Sequence, residues 1–320
     1  MPIPSGWSQT LREFVQGWFA ESEAKQGLIG DQYLGDTPFP KFVLTEQAAS
    51  WEDFLSWVNE LQGSWCFRGQ RDARWLLNTS LDRAVKVDTS TANSSGYYHL
   101  DREPEIRELL FRFQQQAHQY IGQVPSDDDL SSWFALMQHH GVPTRFLDFT
   151  KSSYVGLYFA FEEDPPDTGC ALWAIDMEWL EDKARKLLPP VTSAWGDFKE
   201  RADYVNGLLI GQTEKAVILP VNPHRLDSRM VAQQGFFLCK LYHRVHFSLV
   251  LMTMMMQPTG PDGPDTPDRP VIRRLVLKKE LRIEVLKNLR AMNIHRASLY
   301  PGLDGFGQSL RLDLEMKVKA

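Results

Sequence analysis

The sequence predicts an α+β domain with a mixed or antiparallel central sheet and flanking helices. Amphipathic segments of helical period alternate irregularly with short apolar runs of strand length, no regular βαβ alternation is present, and no internal repeat appears. With 320 residues, 43% hydrophobic and 24% charged, the chain is long enough to bury one large core. The balance of 35 Lys+Arg against 41 Asp+Glu, net −6, argues against a surface that grips nucleic acid everywhere and leaves room for a local basic pocket.

An N-terminal helical extension is expected over 1–45 and the main domain over 46–320. Residues 10–25 carry Leu11, Phe14, Val15 and Phe19 on one helical face. Ser50 and Asp53 have capping-box spacing ahead of Trp51, Phe54, Leu55 and Val58, so a helix starts there. Trp65-Cys66-Phe67 reads as a strand running into Arg68-Gly69-Gln70. Residues 90–98 are small and polar, a flexible loop. Asp101 is placed to cap a helix to Tyr120, and Asp128 or Asp129 another, which must stop before Gly141-Val142-Pro143 because Pro143 excludes the helical region for Val142.

Thr150 is placed to cap a helix over 151–161. Strands are expected at 171–176, 216–221 and 236–242, helices at 178–188, 197–209 and 279–292. Residues 245–256 and 271–277 are expected to pair as a long hairpin. Between them Pro258, Pro261, Pro264, Pro267 and Pro270 fall at every third residue among Gly and Asp, so 258–270 is expected to be a disordered, solvated hairpin loop. A docking strip for a Pro-recognising partner is the other reading of that segment.

Cys66, Cys170 and Cys239 are widely spaced in apolar runs and read as buried hydrophobes, with no disulfide scaffold and no thiolate zinc site. The N-terminus lacks a basic region followed by an apolar one, and the most apolar stretch is about half the length of a membrane helix. A cytoplasmic protein without a membrane partner is therefore expected. GxGxxG, P-loop, GxSxG and HExxH signatures are missing. The adjacent His139 and His140 diverge by about 100° on a helix, so no metal site is expected there.

Three polar runs set in apolar surroundings remain as candidates. In Phe67-Arg68-Gly69-Gln70, an Arg at a strand end can grip a phosphate with its planar fork, and Gly69 lets a ligand approach the backbone. The stretch from Gln138 to Thr150 combines a rigid turn with Thr144, Arg145 and Asp148. A helix start at Thr150, with Ser152 and Ser153 in its first turn, offers free N–H groups to an anion. The run Arg229 to Gly235 includes Gln233 and leads into an apolar strand. The bland alternative is equally concrete: Arg68 or Arg145 pairs with Asp148 and does nothing else.

At these residues the chain resembles the FRG domain family, named for its Phe-Arg-Gly motif. The resemblance rests on Phe67-Arg68-Gly69-Gln70, Trp75 to Leu81, Gln138 to Arg145 with Leu147-Asp148, Tyr158-Phe159-Ala160, Arg229 with Gln233 and Gly235, and Tyr300 to Gly305. It implies a bacterial or phage-related protein of toxin or phage-defence settings, with room for a regulatory or antitoxin protein partner. The motif order Arg68-Gly69, then Thr150-Lys151-Ser152-Ser153, then Gln233-Gln234-Gly235 is also similar to that of ADP-ribosyltransferases. That second resemblance implies NAD as cofactor and an ADP-ribosyltransferase-like fold. In it, Arg68 and Arg145 hold phosphates, His139 acts as hydrogen-bond donor or acid/base, Thr150 and Ser152 orient ribose, and Asp148 orients an Arg or stabilises charge. Arg229 and Gln233 complete the catalytic set, and Gly69, Gln70 and Thr144 the ligand contacts. Gly235 stands where those enzymes carry Glu. RNA 2′-phosphotransferase relatives manage with an Arg/His set. A non-catalytic module for nucleic-acid ends or modified nucleotides fits the same arginines. A metal nuclease would need clustered carboxylates and comes last.

Overall fold

The computed structural model describes residues 43–84, 103–188, 198–210, 215–223, 227–242, 246–260, 263–264 and 267–318. The expected helix at 10–25, the loop at 90–98 and the Asp101 cap lie outside the described residues.

The elements in chain order are β1 (Leu44–Ala48), α1 (Trp51–Asn59), β2 (Trp65–Gln70), α2 (Ser80–Ala84), α3 (Glu103–Ala117), α4 (Leu130–His139), β3 (Phe146–Thr150), α5 (Ser153–Phe161), β4 (Cys170–Asp176), α6 (Met177–Leu187) and α7 (Phe198–Ile210). They continue with β5 (Ile218–Val221), α8 (Ser228–Ala232), β6 (Gly235–Lys240), α9 (Phe247–Met256), β7 (Pro258–Gly260), β8 (Gly263–Pro264), β9 (Ile272–Leu277), α10 (Arg282–Ala291), α11 (Arg296–Leu299) and α12 (Leu303–Val318). Seven strands form one sheet in the order β1-β9-β4-β2-β3-β6-β5, parallel at β1–β9 and antiparallel elsewhere. This is the α+β, mixed-sheet architecture that the sequence predicts.

The strand β4 alternates strictly. Along β4, Ala171, Trp173 and Ile175 enter one apolar core, and Cys170, Leu172 and Ala174 enter the other. A period of two sends successive side chains to opposite faces, so helices must cover both. The larger core takes α3, α4, α6 and α9; the smaller takes α1, α5 and α10. All three cysteines are buried and unbridged. Burial raises each thiol, Cys239 to about 11, which makes them poor nucleophiles.

Local chemistry sets several boundaries. Ser50 Oγ accepts from Asp53 N at 3.1 Å, and Asp53 Oδ2 accepts from Ser50 N at 3.1 Å, so α1 opens on a full capping box. Asp129 caps α4, which ends at His140, ahead of Pro143. The cap of α5 is Ser152, not Thr150: Ser152 Oγ accepts from Val155 N at 3.3 Å. Thr150 is still strand, and its hydroxyl is committed elsewhere.

The expected hairpin of 245–256 with 271–277 does not form. Residues 247–256 are the helix α9, buried along nearly its whole length. A mostly apolar run broken only by Ser248 and Thr253 has little period to separate strand from helix, and its Leu and Met residues favour the helix. Within the Pro-rich segment, β7 and β8 pair as a short ribbon, and Arg269 at its far end pairs with Asp176.

Candidate functional site

The site lies where the sheet comes apart. β2 and β3 are in register through one pair, Phe67 with Thr150, and the pairing goes no further. The Arg68 guanidinium fills the gap. Its NH1 donates to the main-chain oxygen of Asp148 at 2.8 Å and lies 3.7 Å from that residue's Oδ2. A carbonyl left by a parted ladder needs a donor, and Arg68 supplies it. The Nε and NH2 groups of Arg68 have no partner among the described residues. Burial holds this guanidinium below its usual range; Asp148 opposes that shift and the nearby positive Arg83 adds to it.

A cleft of about 200 Å³ opens at this split. Arg68 and Asp148 form one side. Arg229 from α8, Gln233 and Tyr300 form the other. Gln138 steadies the first side by donating to Asp148 Oδ2 at 3.0 Å, leaving the Asp148 side chain 60% exposed. On the second side the Arg229 guanidinium lies 4.5 Å from the Tyr300 ring centroid, and that of Arg296 lies 4.4 Å from it. Arg229 forms no ion pair among the described residues.

Behind Tyr300 sits a half-buried carboxylate. Glu162 pairs with Arg296 and accepts from the Tyr300 hydroxyl at 3.2 Å and the Tyr158 hydroxyl at 3.4 Å. Burial raises the Glu162 carboxyl, against the pull of Arg296 and the hydroxyls. Burial, then the Glu162 charge, pushes Tyr300 up to about 12.

Two wider concavities adjoin the cleft. Through Arg68, Gly69 and Phe159 it opens on a basin of about 510 Å³. Past Met230 lies another of about 450 Å³ that holds His139.

The sequence-predicted residues separate accordingly. Arg68, Gly69, Asp148, Thr150, Arg229 and Gln233 line the cleft. His139 does not: its Nδ1 is 3.2 Å from Asp227 Oδ2 in the neighbouring concavity. Arg145 is turned into the larger core, 1% exposed, with its guanidinium over Phe134 and NH2 bonded to the carbonyl of Leu209. It satisfies an orphan carbonyl in the last turn of α7 and reaches no ligand. Thr144 is buried, bonded to Gln138 and Ser80. Gln70 is likewise structural: its amide donates to Leu76 O at 3.0 Å and accepts from the Trp173 indole at 2.7 Å.

Thr150 donates to Gln233 O at 2.7 Å and accepts from Ser152 N at 3.1 Å, so it ties the 233–235 turn to the start of α5. Ser152 is spent as the α5 cap. Gly69 serves packing more than ligand approach: a Cβ there would lie 2.0 Å from Gly156 O and 2.4 Å from Ala160 N of α5.

The FRG domain model matches residues 63–168. The chain carries an FRG domain. No curated protein and no solved structure matches the chain. The matched FRG segment supplies β2, β3 and α5, hence Arg68, Asp148 and the Glu162 carboxylate. Arg229, Gln233 and Tyr300 come from beyond it, so the cleft is completed by the rest of the sheet and its covering helices.

Sequence reasoning missed Glu162, Phe159, Arg71 and Arg83 as neighbours of Arg68. Phe159 was visible only as part of the Tyr158-Phe159-Ala160 motif. Glu162 follows a largely apolar helix, where a carboxylate that must stay near the core is a usable signal. No helix among the described residues is long and apolar enough to cross a membrane, and no group of three or more His, Cys, Asp or Glu there is placed to hold a metal ion.

Proposed function

We propose that the chain binds a phosphate-bearing nucleotide of the NAD or ADP-ribose class in the Arg68 cleft, as an effector of the toxin or phage-defence kind. The observation that carries this is Arg68 itself. It is anchored by one nitrogen, has no partner at Nε or NH2 among the described residues, and lines the cleft together with Arg229. Two arginines lining one concavity call for an anion, and the planar fork suits phosphate oxygens.

The reaction that fits is transfer of the ADP-ribosyl group from NAD to an acceptor with release of nicotinamide. Its oxocarbenium-like transition state needs a negative group close to the anomeric carbon. Gly235 leaves the 233–235 turn without one, and Asp148 is the carboxylate that lines the cleft. His139 and Arg145 have no part in this reading, since neither reaches the cleft.

A second reading is a non-catalytic module for nucleotides or nucleic-acid ends. It is favoured by the same Asp148, which lies beside Arg68 and accepts from Gln138, a carboxylate engaged in holding the site together.

Calorimetric titration with NAD, ADP-ribose and AMP, beside incubation of the full chain with labelled NAD and cell lysate, tests both. Binding with nicotinamide release and label transfer supports the enzyme. Binding without release supports the module. If none of the three ligands binds, the nucleotide reading is wrong.

A further inference from the structure

The basin of about 510 Å³ next to the cleft has a use of its own. Its size is that of a small-molecule site. Asn78 lines it and is 6% exposed, yet its Oδ1 has no hydrogen-bond partner and its Nδ2 makes no bond among the described residues. A buried carboxamide oxygen without a partner is a costly thing to leave in a folded protein. Its χ2 is a soft torsion, so the amide can turn toward a ligand without a rotamer penalty.

The rest of the basin suits an aromatic ligand with a phosphate. Trp75 and Phe159 give it aromatic walls. Arg83 donates NH1 to the main-chain oxygen of Asn78 at 2.7 Å, which fixes the arginine beside that residue, and it forms no ion pair among the described residues. Arg68 is shared between basin and cleft, and the charges of Arg83 and Arg68 repel each other. An anion bridging the two would relieve that repulsion. The other charges at the basin are matched: Arg71 pairs with Glu163 at 2.6 Å, and Glu162 pairs with Arg296.

We propose that this basin is the nucleobase subsite of the Arg68 site and that it takes adenine, with the Asn78 carboxamide on the base edge, the ring against Trp75 or Phe159, and the attached phosphate bridging Arg68 and Arg83. A carboxamide presents a donor beside an acceptor, and adenine presents the complementary pair at N6 and N7. This rests on the phosphate reading of Arg68 and adds the class of base.

The test is a ligand series on the wild-type chain: AMP, IMP and ribose 5-phosphate, by calorimetry. IMP replaces the N6 donor by an acceptor, and ribose 5-phosphate lacks the base. AMP is expected to bind at least about tenfold more tightly than either, one good pair of base contacts being a factor of that order. The variant Asn78→Asp, which turns the amide donor into a second acceptor, is expected to cost AMP about tenfold and to leave ribose 5-phosphate within about twofold. If that variant fails to fold, the wild-type series alone decides. Equal affinity for AMP and ribose 5-phosphate overturns the base subsite and leaves the phosphate site standing. Equal affinity for AMP and IMP overturns the adenine assignment. If none of the three binds, the phosphate reading falls and this inference with it.

Discussion

Arg68 and Asp148 meet at the one place where the central strands separate: the Arg68 NH1 lies 2.8 Å from the Asp148 main-chain oxygen and 3.7 Å from its carboxylate. The Asp148 side chain is 60% exposed, so the pair is not a buried ion pair. Arg68→Ala is therefore expected to cost only about 1 kcal/mol, the worth of one main-chain hydrogen bond, and not the 3–5 kcal/mol of a stranded buried charge. Nucleotide affinity is expected to fall by roughly one to two orders of magnitude, with partial rescue in Arg68→Lys. Thermal melting and calorimetry on the same variant read both. A collapsed melt would show that the arginine is structural only.

Asp148→Asn separates the two readings of the cleft. The carboxylate competes with a phosphate for Arg68, so removing its charge is expected to tighten binding of AMP or ADP-ribose by roughly three- to tenfold, the range of a partly solvated charge pair. In the ADP-ribosyltransferase reading the same variant loses nicotinamide release while keeping the tighter binding. Weaker binding in Asp148→Asn would mean that Asp148 serves the ligand through a bond only a carboxylate makes.

What the sequence made legible was local or periodic. The Ser50–Asp53 capping box is complete within four residues, and the strand at 170–176 with the helices on either side follows from short apolar patterns. The α9 helix was illegible because its run is apolar but for Ser248 and Thr253, both of which are buried too, so it carries no amphipathic period. Arg68 and Asp148 were readable as polar residues in apolar runs, but their meeting depends on two strands parting after a single registered pair, 80 residues apart in sequence. Arg145 looked the same as Arg68 from sequence. What sends it into the core is the Leu209 carbonyl, 64 residues away, and no local pattern announces that. Thr150 and Ser152 are both capping residues two positions apart, and the choice fell to Ser152 because the strand runs through Thr150.

Gly69 is expected to be intolerant of a side chain for reasons of packing. A Cβ at 69 meets main-chain atoms of α5 at 2.0 and 2.4 Å, and main chain cannot swing aside. Gly69→Ala should cost more than the roughly 1–3 kcal/mol usual for overpacking. At Gly156 the nearest atoms are side-chain carbons, Leu172 Cδ1 at 2.8 Å and Phe67 Cβ at 3.0 Å, so Gly156→Ala should cost less. Urea unfolding of the two variants should place Gly69→Ala at the lower midpoint. The reverse order would mean that α5 shifts easily on the sheet.

His139 makes a negative prediction. It pairs with Asp227 in a concavity that touches the cleft only through Met230. His139→Ala is expected to leave AMP affinity within about threefold, since no direct contact is lost. A tenfold loss, measured by the same titration, would draw the His139 concavity into the ligand site.

The buried pair of Lys240 and Asp82 gives a prediction about acid. Both side chains are fully buried, and Asp82 Oδ2 also accepts from Thr79 N at 2.9 Å and Phe247 N at 3.3 Å, so one carboxylate joins α2, β6 and the start of α9. Burial acts to raise the carboxyl, but the charges of Lys240 and His246 and the surrounding hydrogen bonds prevail and lower it from 3.8 to about 2. A folded-state value below the unfolded one means the unfolded chain binds the proton first. The stabilisation is therefore complete above about pH 4 and is lost as the pH falls toward 2, a swing of roughly 2–3 kcal/mol for this one group. Asp82→Asn removes that acid dependence and takes the carboxylate away from Lys240, at a cost of about 3–5 kcal/mol near neutrality. Replacing both partners, as Asp82→Asn with Lys240→Met, leaves no buried charge and should recover much of that loss. Denaturant midpoints of the wild type and the two variants, taken from pH 2 to 7, read all three statements. A wild-type curve that is flat across pH 2–4 would mean that the carboxylate does not hold α2 and α9 together through its charge.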